Sequence, residues 1–129
     1  MTLKVLIVED YPEAVQAVSY VIQKQWPGAL LSIAGDGKTA LELMKSQSFD
    51  LLLLALELPD VDGTELLCRI RSFSDIPLII ISKRGSVESI VKGLTLGADD
   101  YIVKPFGPVD LTCRIGAVMR RAGYAKSYK

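Results

Sequence analysis

Apolar runs and helically spaced apolar positions alternate along this chain. Leu3 to Val8 is mostly apolar and predicts a buried strand. From Glu13 to Lys24, Ala14, Val15, Val18, Val21 and Ile22 recur at the spacing of one helix face, and Pro27-Gly28 ends that helix. Leu30 to Ala34 predicts a second strand, and Thr39 to Ser46 a second helix. Leu51 to Ala55 is apolar throughout, as in a central parallel strand covered on both faces. Pro59-Asp60-Val61-Asp62-Gly63 predicts a turn, and Thr64 to Ser72 a helix. Leu78 to Ile81 predicts a fourth strand, Ser86 to Leu96 a helix, and Tyr101 to Val103 a short fifth strand. Pro108 to Arg121 predicts a last helix, with proline in the first turn where no intrahelical donor is lost.

Five strand–helix units in succession predict an α/β fold with a parallel sheet. The 129 residues suit one compact domain, a flavodoxin-like, doubly wound (βα)5 sheet of strand order 2-1-3-4-5. The domain is expected over residues 1–121, with 122–129 as a tail or the start of a linker. Composition narrows the partners. Fifteen basic and fifteen acidic residues cancel, so bulk charge suggests neither nucleic acid nor a membrane surface. Only the last ten residues are one-sided, with Arg120, Arg121, Lys126 and Lys129 and no acid, which reads as a solvated tail. No apolar run reaches the roughly 18 residues of a membrane span. The N-terminus leads straight into a strand with no signal-peptide pattern. Cys68 and Cys113 fall in amphipathic helical patterns, where cysteine acts as a small apolar residue. No disulfide is expected, and the cytoplasm is the expected compartment. The chain has no histidine, which removes the commonest general base.

Ligands of open parallel sheets bind at the carboxyl ends of the strands. The first strand runs into Glu9-Asp10, the third ends at Ala55, the fourth runs into Ser82-Lys83 and the fifth into Lys104-Pro105. One crevice would thus receive two carboxylates, a methyl, a hydroxyl and an ammonium. Paired carboxylates suit a hard cation such as magnesium, and a lysine with a hydroxyl suits phosphate oxygens. Singly, each is more often a solvated loop, a cap or a turn. Together they specify a magnesium-assisted phosphoryl site.

These segments carry a family resemblance. Val5-Leu6-Ile7-Val8-Glu9-Asp10, Asp50-Leu51-Leu52-Leu53-Leu54, Leu58-Pro59-Asp60-Val61-Asp62-Gly63, Pro77-Leu78-Ile79-Ile80-Ile81-Ser82 and Gly97-Ala98-Asp99-Asp100-Tyr101-Ile102-Val103-Lys104-Pro105-Phe106 resemble response-regulator receiver domains of the CheY-like type. The likeness runs from residue 3 to about 121 and is closest to the OmpR/PhoB branch of transcription regulators. It implies a two-component phosphorelay module: an aspartate ending the third strand takes a phosphoryl group from a phosphohistidine on a sensor histidine kinase. It also implies that Glu9 and Asp10 hold magnesium, with the backbone carbonyl of Glu57 as a further ligand. Ser82 matches the hydroxyl that moves onto the phosphate. Lys104 matches the lysine that contacts it, before a proline usually reached through a cis bond. Tyr101 matches the aromatic switch that turns inward when the hydroxyl moves. An effector domain or partner protein would receive the output.

Counting back from Leu58-Pro59, the position of the attacking aspartate is Ala55, four residues before Pro59. A methyl group cannot attack phosphorus, and its presence removes one carboxylate from the cation site. Magnesium is therefore expected to be weakly held, and no organic cofactor is expected. The resemblance leaves two origins open, a natural pseudo-receiver or an aspartate replaced by alanine. The Glu57 side chain is expected to face out, and Asp60 and Asp62 to form the turn. Lys83 replaces a usually small residue and is read as a surface lysine pointing away, as is Tyr11 at the mouth. Lys104 is expected to supply the charge that Glu9 and Asp10 need without magnesium.

The resemblance further implies an output face on the fourth helix, fifth strand and fifth helix. Val91 and Leu94 match its apolar centre, Asp100 and Arg114 one ion pair, and Asp110 half of another, opposite Ile90. Thr95 and Gly116 replace a further pair, so a homodimer is expected to be weak, altered in geometry or absent. Of the alternative class on the same fold, a phosphohydrolase needs an aspartate nucleophile after the first strand in a different local motif, and a flavin carrier needs a glycine- or hydroxyl-rich loop there. Here that loop is Glu9-Asp10-Tyr11-Pro12-Glu13, which repels phosphate.

Overall fold

The computed structural model describes residues 2–123. Lys126, Lys129 and most of the expected tail at 122–129 lie outside the described residues. The elements alternate as β1 (Lys4–Val8), α1 (Pro12–Gln25), β2 (Leu30–Ala34), α2 (Gly37–Ser46), β3 (Leu51–Leu54), α3 (Gly63–Arg71), β4 (Leu78–Ser82), α4 (Val87–Thr95), β5 (Asp100–Val103) and α5 (Pro108–Arg121). The five strands form one sheet of order β2-β1-β3-β4-β5, with every pairing parallel. This is the flavodoxin-like order expected from the sequence.

Alternation along the strands builds a core on each face. Val5, Ile7, Leu51, Leu53, Ile79 and Ile81 pack with Val18, Val21 and Ile22 of α1 and Leu111, Ile115 and Val118 of α5. Leu6, Val8, Leu52, Leu54, Leu78 and Ile80 pack with Ala40 of α2, Leu66, Leu67 and Ile70 of α3, and Tyr101. β3 is buried at every position, which is why its sequence shows no alternation. Replacing one of its leucines by alanine would cost about 2–5 kcal/mol.

Polar residues set the helix starts. Asp36 accepts from the Thr39 amide at 2.7 Å, and Asp60 accepts from the Gly37 and Lys38 amides at 2.8 and 3.0 Å. Helix α2 therefore begins before Thr39, the residue at which the apolar pattern starts. Asp62 caps α3 through the Thr64 amide, and Ser86 caps α4 through the Ser89 amide. Gly63 lets α3 lie against the chain leaving β3: a Cβ there would stand 2.5 Å from the Ala55 carbonyl oxygen. At the other end of the sheet, Asp99 accepts from the Leu78 amide at 2.9 Å and pairs with Arg71 at 3.2 Å.

One reading is corrected here. Cys68 and Cys113 are exposed free thiols, not apolar packing residues. Their stretches are amphipathic as expected, but both cysteines fall on the solvent side.

Helix α5 runs unbroken through Gly116. A Cβ there would meet only the Arg120 guanidinium, at an ordinary 3.6 Å. Gly116→Ala is therefore expected to stabilise the domain by about 0.5–1 kcal/mol, read as a higher urea midpoint at unchanged slope. A lower midpoint would contradict this account of the helix.

Candidate functional site

The carboxyl edge of the sheet continues its backbone ladder past the strands. The Glu9 amide bonds the Ala34 carbonyl, the Ala55 amide the Val8 carbonyl, and the Lys104 amide the Ser82 carbonyl, at 2.9, 2.9 and 2.8 Å. Because β1 and β4 flank β3, these bonds fix Glu9, Ala55, Ser82 and Lys104 along one edge. The Lys104–Pro105 peptide is cis, as the resemblance implied.

Glu9 is buried, and the Lys104 ammonium forms a short ion pair with its carboxylate. The two side chains are only 8% and 14% exposed, so each would be a poorly compensated charge without the other. This contact agrees with the expectation that Lys104 supplies positive charge at the acidic pair. Asp10, unlike Glu9, is exposed. Among the described residues, no three acidic, cysteine or histidine side chains converge as a metal site. The donor set thus fits a divalent cation poorly: one carboxylate is engaged by lysine, one is solvated, and Ala55 contributes none.

Glu57 is exposed, as expected, with its side chain 45% accessible, but its carboxylate is engaged. Both carboxylate oxygens accept from the Ser82 hydroxyl, at 3.2 and 3.3 Å, and Arg84 pairs with the same carboxylate at 2.7 Å. The attraction comes from Ser82, which is completely buried and needs an acceptor, and from the guanidinium alongside. Arg84 also reaches Asp62 at 2.6 Å, so Asp62 is more than a turn former. The Arg84 main chain is used as well: its amide donates to Ser82 Oγ at 3.0 Å, and its carbonyl accepts from the Tyr101 hydroxyl at 2.6 Å.

Tyr101 is turned inward and is 5% exposed. Its ring occupies a slot left by Gly93 in α4, where a Cβ would come within 3.1 Å of the ring. Burial pushes the Tyr101 hydroxyl pKa up, while the nearby Ser82 hydroxyl opposes the shift. Lys83 is exposed, as expected of a surface lysine. Its ammonium stands 5.9 Å from the Tyr11 ring centroid, a cation–π contact joining the β1–α1 and β4–α4 loops across the mouth.

On the α4–β5–α5 side, Val91 and Leu94 are exposed, with Val87 beside them, whereas Ile90 packs against the core. Arg114 pairs within the chain with Asp100 at 3.1 Å and with Asp110 at 2.9 Å.

Sequence reasoning missed Arg84 and Gly93. A signal for Arg84 was present: Glu57 and Arg84 carry opposite charge two residues beyond Ala55 and Ser82, on adjacent parallel strand ends. Gly93 offered no such signal, because a glycine in a helix does not announce which ring it accommodates.

The Arg84 hydrogen bond holds the Asp62 carboxyl at a pKa of about 2, against an ordinary value of 3.8. A carboxylate with a depressed folded-state pKa stabilises the fold above its unfolded-state value. That contribution is lost as pH falls from about 4 through about 2. In Arg84→Ala, the Asp62 pKa is expected to climb toward 3.8 by NMR carboxyl titration. An unmoved pKa would mean that Thr64, which also donates to Asp62, suffices.

Comparison with known proteins agrees with this geometry. Residues 5–116 match the response regulator receiver domain family. The chain is 38% identical over 117 residues to the sensory transduction protein RegX3 of Mycolicibacterium smegmatis, covering 91% of this chain and 50% of that protein. It is 40% identical over 118 residues to the response regulator ArlR of Staphylococcus saprophyticus, covering 92% of this chain and 53% of that protein. The chain thus spans about half the length of these relatives. Among solved structures, the receiver domain of the Francisella response regulator 1452 superimposes with a TM-score of 0.85 at 31% identity, covering 93% of this chain and 98% of that one. With its fold and most of its length in agreement, the chain belongs to the response regulator receiver domain family.

Proposed function

We propose that this domain is a two-component receiver whose phospho-acceptor position is held by Ala55, so that it signals without being phosphorylated there. Receiver domains are signalling modules rather than typical enzymes. They bind magnesium at the phosphorylation site and interact with sensor histidine kinases and effector domains. The observation that carries the proposal is the place of Ala55: it follows β3 directly, between Glu9 after β1 and Ser82 at the end of β4. In this reading Lys104 and Ser82 line the phosphate position, and Tyr101 is the switch. Glu9, Asp10 and the Glu57 carbonyl form a weakened magnesium site. A sensor kinase would dock without transferring phosphate.

The domain is taken as residues 1–121 of a transcription regulator acting in the cytoplasm, with 122–129 leading away from it. Output would pass to an effector domain or partner protein, with no direct nucleic-acid contact by this domain. Among the described residues no helix is long and apolar enough to cross a membrane.

Two measurements test the reading. With radiolabelled acetyl phosphate and magnesium, this chain is expected to take up no label, whereas Ala55→Asp acquires it. Stable, acid-resistant and alkali-labile label on the unaltered chain would sink the proposal, because it would require another acceptor carboxylate. The α4–β5–α5 face should support only a weak homodimer through Val91 and Leu94, since Arg114 is already engaged within the chain by Asp100 and Asp110. Sedimentation equilibrium is expected to show monomer at low micromolar concentration; a tight dimer there would be the contrary result.

A further inference from the structure

A receiver without a phospho-acceptor still needs something to set the position of its switch tyrosine. The surroundings of Ser82 contain such a device. The inference rests on the receiver reading above, but it concerns groups that phosphorylation does not involve in this chain.

Ser82 is fully buried, so its hydroxyl must find an acceptor within the protein. The acceptor is the Glu57 carboxylate, with both oxygens within 3.3 Å. A carboxylate offers Ser82 what a phosphoryl group would offer, an anionic oxygen in reach of a hydroxyl donor. Glu57 is also held in place. Arg84 binds it at 2.7 Å, and Arg84 is itself fixed by Asp62 at 2.6 Å. The remaining steps follow the main chain of Arg84. Its amide donates to Ser82 Oγ and its carbonyl accepts from the Tyr101 hydroxyl. The carboxylate, the hydroxyl, the turn after β4 and the inward tyrosine therefore form one continuous hydrogen-bonded set. Gly93 leaves the slot that the ring fills, but an open slot does not by itself hold a ring inside it.

We propose that the Glu57 side chain is a resident stand-in for the phosphoryl group, which holds Ser82 and the 82–84 turn in place and so keeps Tyr101 inward. The output face is then fixed in one state by the chain's own sequence. Without the carboxylate, Ser82 loses its acceptor and the Arg84 guanidinium keeps only its contact with Asp62. The carbonyl that anchors the Tyr101 hydroxyl then loses its restraint.

The test is NMR on the described domain with its tail intact, with neither phosphodonor nor magnesium present. Nuclear Overhauser effects between the Tyr101 ring and the Gly93 α protons report the inward ring directly. The unaltered chain is expected to show them at full intensity. Glu57→Met removes the carboxylate at similar volume and is expected to lose most of that intensity, with line broadening at the Arg84 and Tyr101 amides. Glu57→Gln keeps an acceptor without the charge and should fall between the two. Arg84→Met frees the Glu57 carboxylate without removing it, and is expected to weaken the same signals. Trp26 fluorescence and the methyl shifts of the core verify folding in each variant. Full intensity in either Glu57→Met or Arg84→Met would overturn the proposal, since the ring would then be held by the Gly93 slot alone. Because no phosphate is present, this outcome is separate from failure of the phosphorylation test.

Discussion

The parallel pairing of β3 between β1 and β4 is the constraint on which the rest of this molecule depends. β3 is apolar at every position and buried on both faces, so it has one place in the sheet, the middle. Once it is there, the ends of β1, β3, β4 and β5 must lie along one edge. Glu9, Ala55, Ser82 and Lys104 owe their proximity to that register, not to any local attraction among them. Gly63 completes the arrangement by letting α3 start directly against the backbone that leaves β3.

At that edge, the charges are satisfied by one another. Lys104 is neutralised by Glu9, Glu57 by Arg84, and Arg84 again by Asp62. These pairs are not equal. The Glu9–Lys104 pair is mostly withdrawn from water, where removing one partner costs about 3–5 kcal/mol. The Arg84 pairs are 39–45% exposed, and such pairs are worth about 0–1 kcal/mol each. The first therefore contributes to stability, whereas the second set acts mainly by position. A site open to magnesium and phosphate has charges awaiting partners. Here the lysine that would meet phosphate already has a carboxylate.

The fold was legible because it rests on patterns that a single sequence carries: runs of apolar residues, helical spacing, and turn residues between them. The strand-end residues were legible for the same reason, since a parallel sheet brings its carboxyl ends together whatever its loops do. The orientations of side chains beyond those ends were not. Glu57 was expected to face water and is exposed; what an isolated loop glutamate does not reveal is that the Ser82 hydroxyl and the Arg84 guanidinium hold its carboxylate. Lys83 was assigned to solvent on the same grounds and is exposed, but its contact with the Tyr11 ring was not foreseen. Cys68 and Cys113 show the opposite limit. An amphipathic pattern locates a helix correctly while leaving residues near the polar boundary free to fall on either side.

The contact between Tyr101 and Gly93 links this edge to the output face, because Gly93 lies on α4 beside Val91 and Leu94. A tyrosine that samples two positions makes a partner of that face bind only the competent fraction, and its apparent affinity falls by that fraction. A tyrosine held inward removes the penalty and also removes the response, since no input shifts an equilibrium that is already displaced. A partner could then change the state only through a difference in its affinity for the two states. On the proposal above, such a domain is a standing binding surface, its receiver fold presenting α4, β5 and α5 in a fixed arrangement and Glu57 taking the part proposed for a phosphoryl group.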